Sequence, residues 1–382
     1  MGVPSRKDRK GIERHPEGLP TEDNCREVQF ILEGECTYPD DGSSPFLTYE
    51  DFARARKETR EVFGDIFDRC FSARVFGVAA CRKYGLVPLT PFLKYLQKYA
   101  IRARAKYELK DYCQCGGLLN ADGIDAYLKD LSVFERQGAS ETIASVGRRL
   151  GVLKFLFYHA NRSGVMHVWD VIKGQTMAEL QKVRSILDFD DDEAILDSCW
   201  FSKQNAKVIH ETFVELDRSK TGQLSAAQFL AYNGAKMTGV FVNRIFEQYG
   251  AVGQSGKMMM DMDFFSSFII GWRDRNSPEA VRYLFPIYDI QGQGYITSME
   301  VYTFIKQIVA EWTSCEPTSY YPQIVEDIVN EIFDLVKPAI PGAISKSDMM
   351  RVENSGLMFG IMGDVWEFWH HEHREDQQSQ EN

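Results

Sequence analysis

No stretch of this sequence is long and apolar enough to span a bilayer. The start, Met-Gly-Val-Pro-Ser-Arg-Lys-Asp, lacks the apolar segment of a secretory signal. Gly2 stands where myristoylation begins, but Arg6 occupies the place that pattern gives to Ser or Thr. Positive charge is in short supply: 44 Lys and Arg face 55 Asp and Glu, a net charge of −11. That balance argues against a general nucleic-acid binder and suits a protein that meets basic surfaces or cations. The eight cysteines are scattered, and without a signal they read as reduced thiols of a cytosolic or nuclear protein. Cys113 and Cys115 have no matching Cys/His pair downstream, so they read as an ordinary loop rather than a zinc site. Catalytic signatures are missing too. There is no Ser-His-Asp order, phosphate-cradling glycine loop or zincin spacing, and His159, His167 and His210 stand apart. The expectation is a non-enzyme.

What the chain does have is helical periodicity and one well-marked loop. Its 382 residues, 44% apolar and 13% aromatic, can build two helical cores. Residues 289–300, Asp-Ile-Gln-Gly-Gln-Gly-Tyr-Ile-Thr-Ser-Met-Glu, form the skeleton of an EF-hand calcium loop: Asp289 at position 1, Gly294 at 6, Ile296 at 8 and Glu300 at 12. Val281, Leu284, Phe285 and Tyr288 lead in at i, i+3, i+4, i+7. Val301, Phe304, Ile305 and Ile308 lead out with the same spacing.

An EF-hand needs a partner strand at position 8, which prompts a search for repeats. Six candidate loops align on an apolar position 8. They start at Tyr112, His159, Asp217, Gly253, Asp289 and Lys337, and place Leu119, Met166, Leu224, Met260, Ile296 and Ile344 at that position. Position 6 is Gly in five of them and Met258 in the fourth. The steps from 217 to 253 to 289 are 36 residues each, one helix–loop–helix unit. The fold class is therefore all-α, an elongated array of paired EF-hand-like modules in two helical domains. The boundaries read as an irregular arm over 1–45, an N-terminal helical domain over 46–188, a C-terminal EF-hand domain over 189–371 and a polar tail over 372–382. Thr48 with Asp51 reads as a capping box, and Thr90-Pro91 as the start of another helix. Arg102, Arg104 and Lys106 read as a solvated basic face. The run Phe189–Glu193 reads as an acidic linker or helix start, and His370-His371-Glu372-His373 as a frayed helix end.

Calcium takes six to eight oxygens, and its affinity rises with carboxylate count. The 289 loop offers Asp289, the amides of Gln291 and Gln293, the carbonyl of Tyr295, Thr297 and Glu300. Its two carboxylates, with Gln at positions 3 and 5, predict weak binding, on the order of 10⁻⁴ M or poorer. The 217 loop offers Asp217, Ser219, Thr221, the carbonyl of Gln223 and Ser225, but Gln228 at position 12. With one carboxylate it is expected to be an empty relic, as are the four loops that lack an acidic position 1. The bland alternative is that the whole set is a helix-pairing scaffold.

A series of phrases carries a resemblance. Cys199-Trp-Phe-Ser202, Phe213-Val-Glu-Leu-Asp217 and Met237-Thr-Gly-Val-Phe241-Val-Asn-Arg-Ile-Phe246 follow one another. Tyr288-Asp289-Ile290, Gly294-Tyr295 and Glu331-Ile-Phe-Asp-Leu-Val-Lys-Pro338 come later. Together they resemble the B″ regulatory subunits of protein phosphatase 2A, most closely the gamma type, over roughly residues 50–370. The resemblance implies a non-catalytic subunit that docks on the phosphatase scaffold and catalytic subunits and sets substrate choice and location. The implied setting is cytoplasmic, at the centrosome, basal body or microtubule arrays, with nuclear pools, and with no nucleic-acid or membrane partner. Ser219, Thr221 and Gln228 depart from the better calcium-binding B″ members. A free EF-hand calcium sensor or buffer is the alternative, with Met258-Met259-Met260 and Met349-Met350 as its candidate groove.

Overall fold

A computed structural model describes residues 18–39, 44–81, 85–189, 193–232, 234, 236–253, 256–315 and 323–373. Helices dominate it, and every strand is two to four residues long. The chain divides into two compact units, residues 1–137 with 159–201 and residues 138–158 with 202–382.

In the first unit, β1 (Phe46–Leu47) pairs antiparallel with β2 (Val87–Pro88), and β3 (Leu118–Leu119) with β4 (Met166–His167). In the second unit, β5 (Gln223–Leu224), β6 (Ala251–Val252) and β7 (Met258–Asp261) form a sheet in the order β5-β7-β6. There β8 (Tyr295–Thr297) pairs with β9 (Ala343–Ser345). The partners across these strands are Leu47 and Val87, Leu119 and Met166, Leu224 and Met260, Ile296 and Ile344. All eight side chains are essentially buried. All six position-8 residues read from the sequence thus meet one another in pairs. Each buried aliphatic contributes about 1.5–3 kcal/mol, so the short ladders act mainly as hydrophobic clasps.

The first couple, Leu47 with Val87, went unread. Its signal was an apolar residue directly before a capping box. Thr48 caps the helix Tyr49–Phe63 with Asp51 as reciprocal partner, just as Ser225 works with Gln228 and Ser345 with Asp348. Position 9 of these loops is therefore also a helix N-cap and position 12 its N3 partner, a capping box worth about 1 kcal/mol.

Other expectations change. The arm is not irregular throughout. Residues Glu22–Glu35 form a helix with a Thr21–Asn24 capping box, and Cys25, Val28 and Leu32 join the core of Leu47, Phe52, Phe92 and Leu96. The signal was the i, i+3, i+7 spacing of those three residues. Lys7, Arg9 and Lys10 lie outside the described residues. The helix expected from Thr90 begins at Leu89, with Pro88 in the capping position. The unit boundary does not follow the 188/189 division. Arg149 bonds Asp263 at 2.7 Å and Phe157 packs on Tyr283, which holds residues 138–158 in the second unit. The Trp200 amide donates to Glu179 at 2.6 Å and the Gln137 amide to the Phe201 carbonyl at 2.9 Å, which holds residues 199–201 in the first. Asp190, Asp191 and Asp192 of the acidic run lie outside the described residues. The C-terminal helix runs through Glu372 with His371 buried, so its end is docked rather than frayed; residues 374–382 of the tail are outside the described set. On the basic stretch, Arg104 turns along its helix to Glu108 at 3.0 Å, and Lys106 lies 4.8 Å over the Trp169 ring.

Candidate metal centre in the paired loops

The 289 loop hangs between two buried helix ends. Tyr288, the last residue of the helix Pro278–Tyr288, packs among Phe241, Phe304 and Phe359 at 4.8–5.3 Å and donates its hydroxyl to the Phe359 carbonyl at 2.7 Å. Arg244, from the helix Gly239–Tyr249, donates to the carbonyls of Ile287 (3.1 Å), Pro286 (3.1 Å) and Asp289 (3.2 Å). Its cation thus caps the negative end of the incoming helix just where the loop starts. On the other side, Gln307 of the leaving helix Ser298–Cys315 accepts the Val240 amide at 2.8 Å. Neither Arg244 nor Gln307 was singled out from the sequence, because their partners are 42 to 67 residues away.

Within the loop, Asp289 and Glu300 are buried (7% and 3% exposed) and both face inward. Asp289 Oδ1 accepts the Gln293 amide at 2.9 Å, and Oδ2 the Gly294 amide at 2.7 Å. Glu300 Oε1 accepts the Gln291 amide at 3.0 Å; Oε2 accepts the Thr297 amide at 2.7 Å and its hydroxyl at 2.8 Å. Gly294 sits at φ +81°, which a residue with a Cβ adopts only with strain, and this bend aims the two amides at Asp289. The Gln291 and Gln293 side-chain amides bond each other at 2.7 Å on the exposed rim. Both carboxylates therefore turn to backbone amides of the one loop, whose other oxygen-bearing groups are Gln291, Gln293, Thr297 and the Tyr295 carbonyl. By its chemistry that oxygen set fits a hard divalent cation.

The 217 loop repeats the design with one inversion. Asp217 accepts the Gly222 amide at 2.7 Å, the Thr221 amide at 3.1 Å and the Ser219 hydroxyl at 3.0 Å. Burial pushes the Asp217 carboxyl up, but these donors more than offset it and hold it below the usual carboxylate range. Gln228 turns its Oε1 to the Ser225 amide and hydroxyl, both at 2.9 Å. An amide N–H can only donate, so this fixes the orientation. The Nε2 of Gln228 then points at the Leu216 carbonyl and the Ser219 hydroxyl, each at 3.3 Å. A donor stands where a cation requires oxygen, and the loop does not fit one.

The 253 loop is rebuilt altogether: β6 folds back on β7 with Ala251 opposite Met259 and Val252 opposite Met258, which makes a hairpin. Met258 at position 6 explains why, since no left-handed glycine bends the chain there. Met258 and Met259 are spent on this hairpin and Met349 is buried, so the two Met groups do not form one groove. In the 337 loop, Asp348 accepts the Ser345 amide (2.8 Å) and the Ala339 amide (3.3 Å) and pairs with Arg351. A protein cation already neutralises it. In the 112 and 159 loops Gly117 and Gly164 keep the left-handed bend, but position 12 is Gly123 and Asp170.

Paired helix–loop–helix modules clasped at position 8, with most of the ion ligands lost, define an EF-hand-type helical protein. Comparison with known proteins narrows this. No family model matches the chain. It is 23% identical over 376 residues to TON2 of Arabidopsis thaliana, a probable B″ regulatory subunit of serine/threonine-protein phosphatase 2A, covering 96% of this chain and 77% of that protein. It is 24% identical over 371 residues to the human B″ subunit gamma, covering 95% and 78%. Among solved structures it is similar to a chain of a PP2A PR70 holoenzyme, with a TM-score of 0.55 and 21% identity over 68% of this chain and 96% of that one. Over nearly its whole length the chain is thus similar to B″ regulatory subunits of protein phosphatase 2A.

Proposed function

We propose that this chain is a non-catalytic regulatory subunit of protein phosphatase 2A, docking on the scaffold and catalytic subunits to set which substrates are met and where. The observation that carries the reading is the extent of the likeness: relatives named as regulatory subunits align with 95–96% of the chain, both units included, and not with its calcium-type loops alone. A cytoplasmic setting at the centrosome or microtubule arrays, with some nuclear protein, is the finer part of the proposal. Calcium belongs to it only at residues 289–300, held by Asp289, Gln291, Gln293, the Tyr295 carbonyl, Thr297 and Glu300, with Kd on the order of 10⁻⁴ M or weaker. The 217 loop stays empty.

The test is affinity purification of the tagged full chain in chelator, followed by mass spectrometry. Recovery of phosphatase scaffold and catalytic subunits supports the proposal. A chain recovered alone, which binds partners only when calcium is added, would instead support the free-sensor reading.

A further inference from the structure

The end of the C-terminal helix carries a group of side chains that the regulatory reading does not use. Glu331 lies on the helix Gln323–Val336, and His371 and Glu372 close the helix Val365–Glu372. One ligand atom from each lies within 4.8 Å of the others. His371 Nε2 is 3.1 Å from Glu331 Oε1, and the imidazole is buried on the same face as Val365 and Phe368. The neighbouring His373 is turned away, its Nδ1 on the Trp369 carbonyl at 2.9 Å and its ring stacked on Trp369.

We propose that Glu331, His371 and Glu372 bind a borderline divalent cation, zinc, and that the ion staples the C-terminal helix to the helix of Glu331. One imidazole and two carboxylates are a zinc donor set, with a fourth position left to water. A calcium site excludes nitrogen in favour of six or more oxygens, so this site differs in kind from the 289 loop. Zinc bonds of about 2.0–2.2 Å put tetrahedral ligand atoms roughly 3.4 Å apart. The present spread therefore closes by about 1.4 Å, relative to that spacing, and rotation of the exposed Glu372 side chain can supply it. The helix C-terminus adds a favourable field for a cation. A carboxylate oxygen can only accept, so the hydrogen in the His371–Glu331 contact is on Nε2. If Nε2 takes the metal, the neutral ring carries its hydrogen on Nδ1 instead, and the cation takes the place of the Nε2 hydrogen beside Glu331.

The experiment titrates zinc chloride into the full-length protein by calorimetry. Calcium-saturated buffer keeps the other loop occupied, and parallel cobalt chloride spectra detect any thiolate ligation. One equivalent of zinc is expected, weakened about tenfold or more by Glu372→Gln and by His371→Gln. It should show no cobalt–thiolate charge-transfer band. Glu372 is exposed, so its variant carries the test even if His371→Gln misfolds. The proposal is overturned by no zinc binding, by binding that Glu372→Gln leaves unchanged, or by a thiolate band that assigns the ion to cysteines such as Cys113 and Cys115.

Discussion

Gln228 and Glu300 occupy the same place in two of the loops and complete the same kind of helix cap, yet one offers a donor and the other an acceptor. A single substitution tests whether that is the whole difference. Gln228→Glu should add calcium binding at the 217 loop, with two carboxylates as in the 289 loop, and a second equivalent should appear in calorimetry or terbium luminescence. Without calcium the variant should lose about 1 kcal/mol, because the new carboxylate meets the Leu216 carbonyl instead of donating to it. If no second equivalent appears, the short Ser219 and Thr221 ligands are limiting instead. The twelve-residue frame was legible in the sequence because Asp289, Gly294 and Glu300 recur at local spacing, and both acids do turn to amides of their own loop. What Gln228 does with its two ends was not legible, since that depends on which neighbours are already donors.

Among helices and strands, the position-8 residues were legible for the same reason: clasp and ligands are set by one short repeat. The pairing of Leu47 with Val87 and the helix of residues 22–35 were harder to see. Their apolar residues are few, and their partners lie far along the chain. Leu32→Ala should destabilise the first unit by about 2–4 kcal/mol, as a fully buried leucine does. A loss under about 0.5 kcal/mol in chemical denaturation, typical of a surface site, would return that segment to the status of an arm. The same unit holds a buried ion pair that gives a pH signature. Arg184 donates to both oxygens of Glu108, at 2.7 and 2.9 Å, and the Tyr127 hydroxyl adds a third bond at 2.8 Å. Burial raises the Glu108 carboxyl, but the Arg184 bonds and charge outweigh it and leave it below its ordinary value. A depressed carboxylate stabilises above the unfolded value of about 4.3 and loses that contribution as pH falls through the folded value. Glu108→Gln should therefore flatten the acid limb of the stability curve below about pH 4.3. At neutral pH it should cost about 3 kcal/mol, because Arg184 is left buried without its counter-charge. Asp364 works in the opposite sense, since burial raises its carboxyl and its ionisation weakens the fold as pH rises through that value. The pH profile is thus best read as a difference between variant and parent.

Across the whole molecule, the question is whether the scaffold depends on an ion at all. Each unit contains two strand-clasped couples, and of the six loops read from the sequence only the 289 loop has carboxylates at both position 1 and position 12. Those two carboxylates accept four backbone amides, so the loop's bend is held by its own hydrogen bonds. Ligand linkage then sets the size of the calcium effect. With Kd near 10⁻⁴ M, 1 mM calcium stabilises by RT ln(1 + 10), about 1.4 kcal/mol, which for a unit of this size is a rise of roughly 3–6 °C in the thermal midpoint. Asp289→Ala with Glu300→Ala should abolish that rise while the protein still folds, with a cost of a few kcal/mol from the freed amides. Differential scanning calorimetry of parent and double variant, each in chelator and in calcium, supplies both numbers. A parent that melts at ambient temperature in chelator would mean the ion holds the second unit together, and a docking surface built on that unit would then be calcium-gated. A shift within the stated range leaves the clasps and caps as what keeps the helices in place, with calcium adjusting a surface that is already formed.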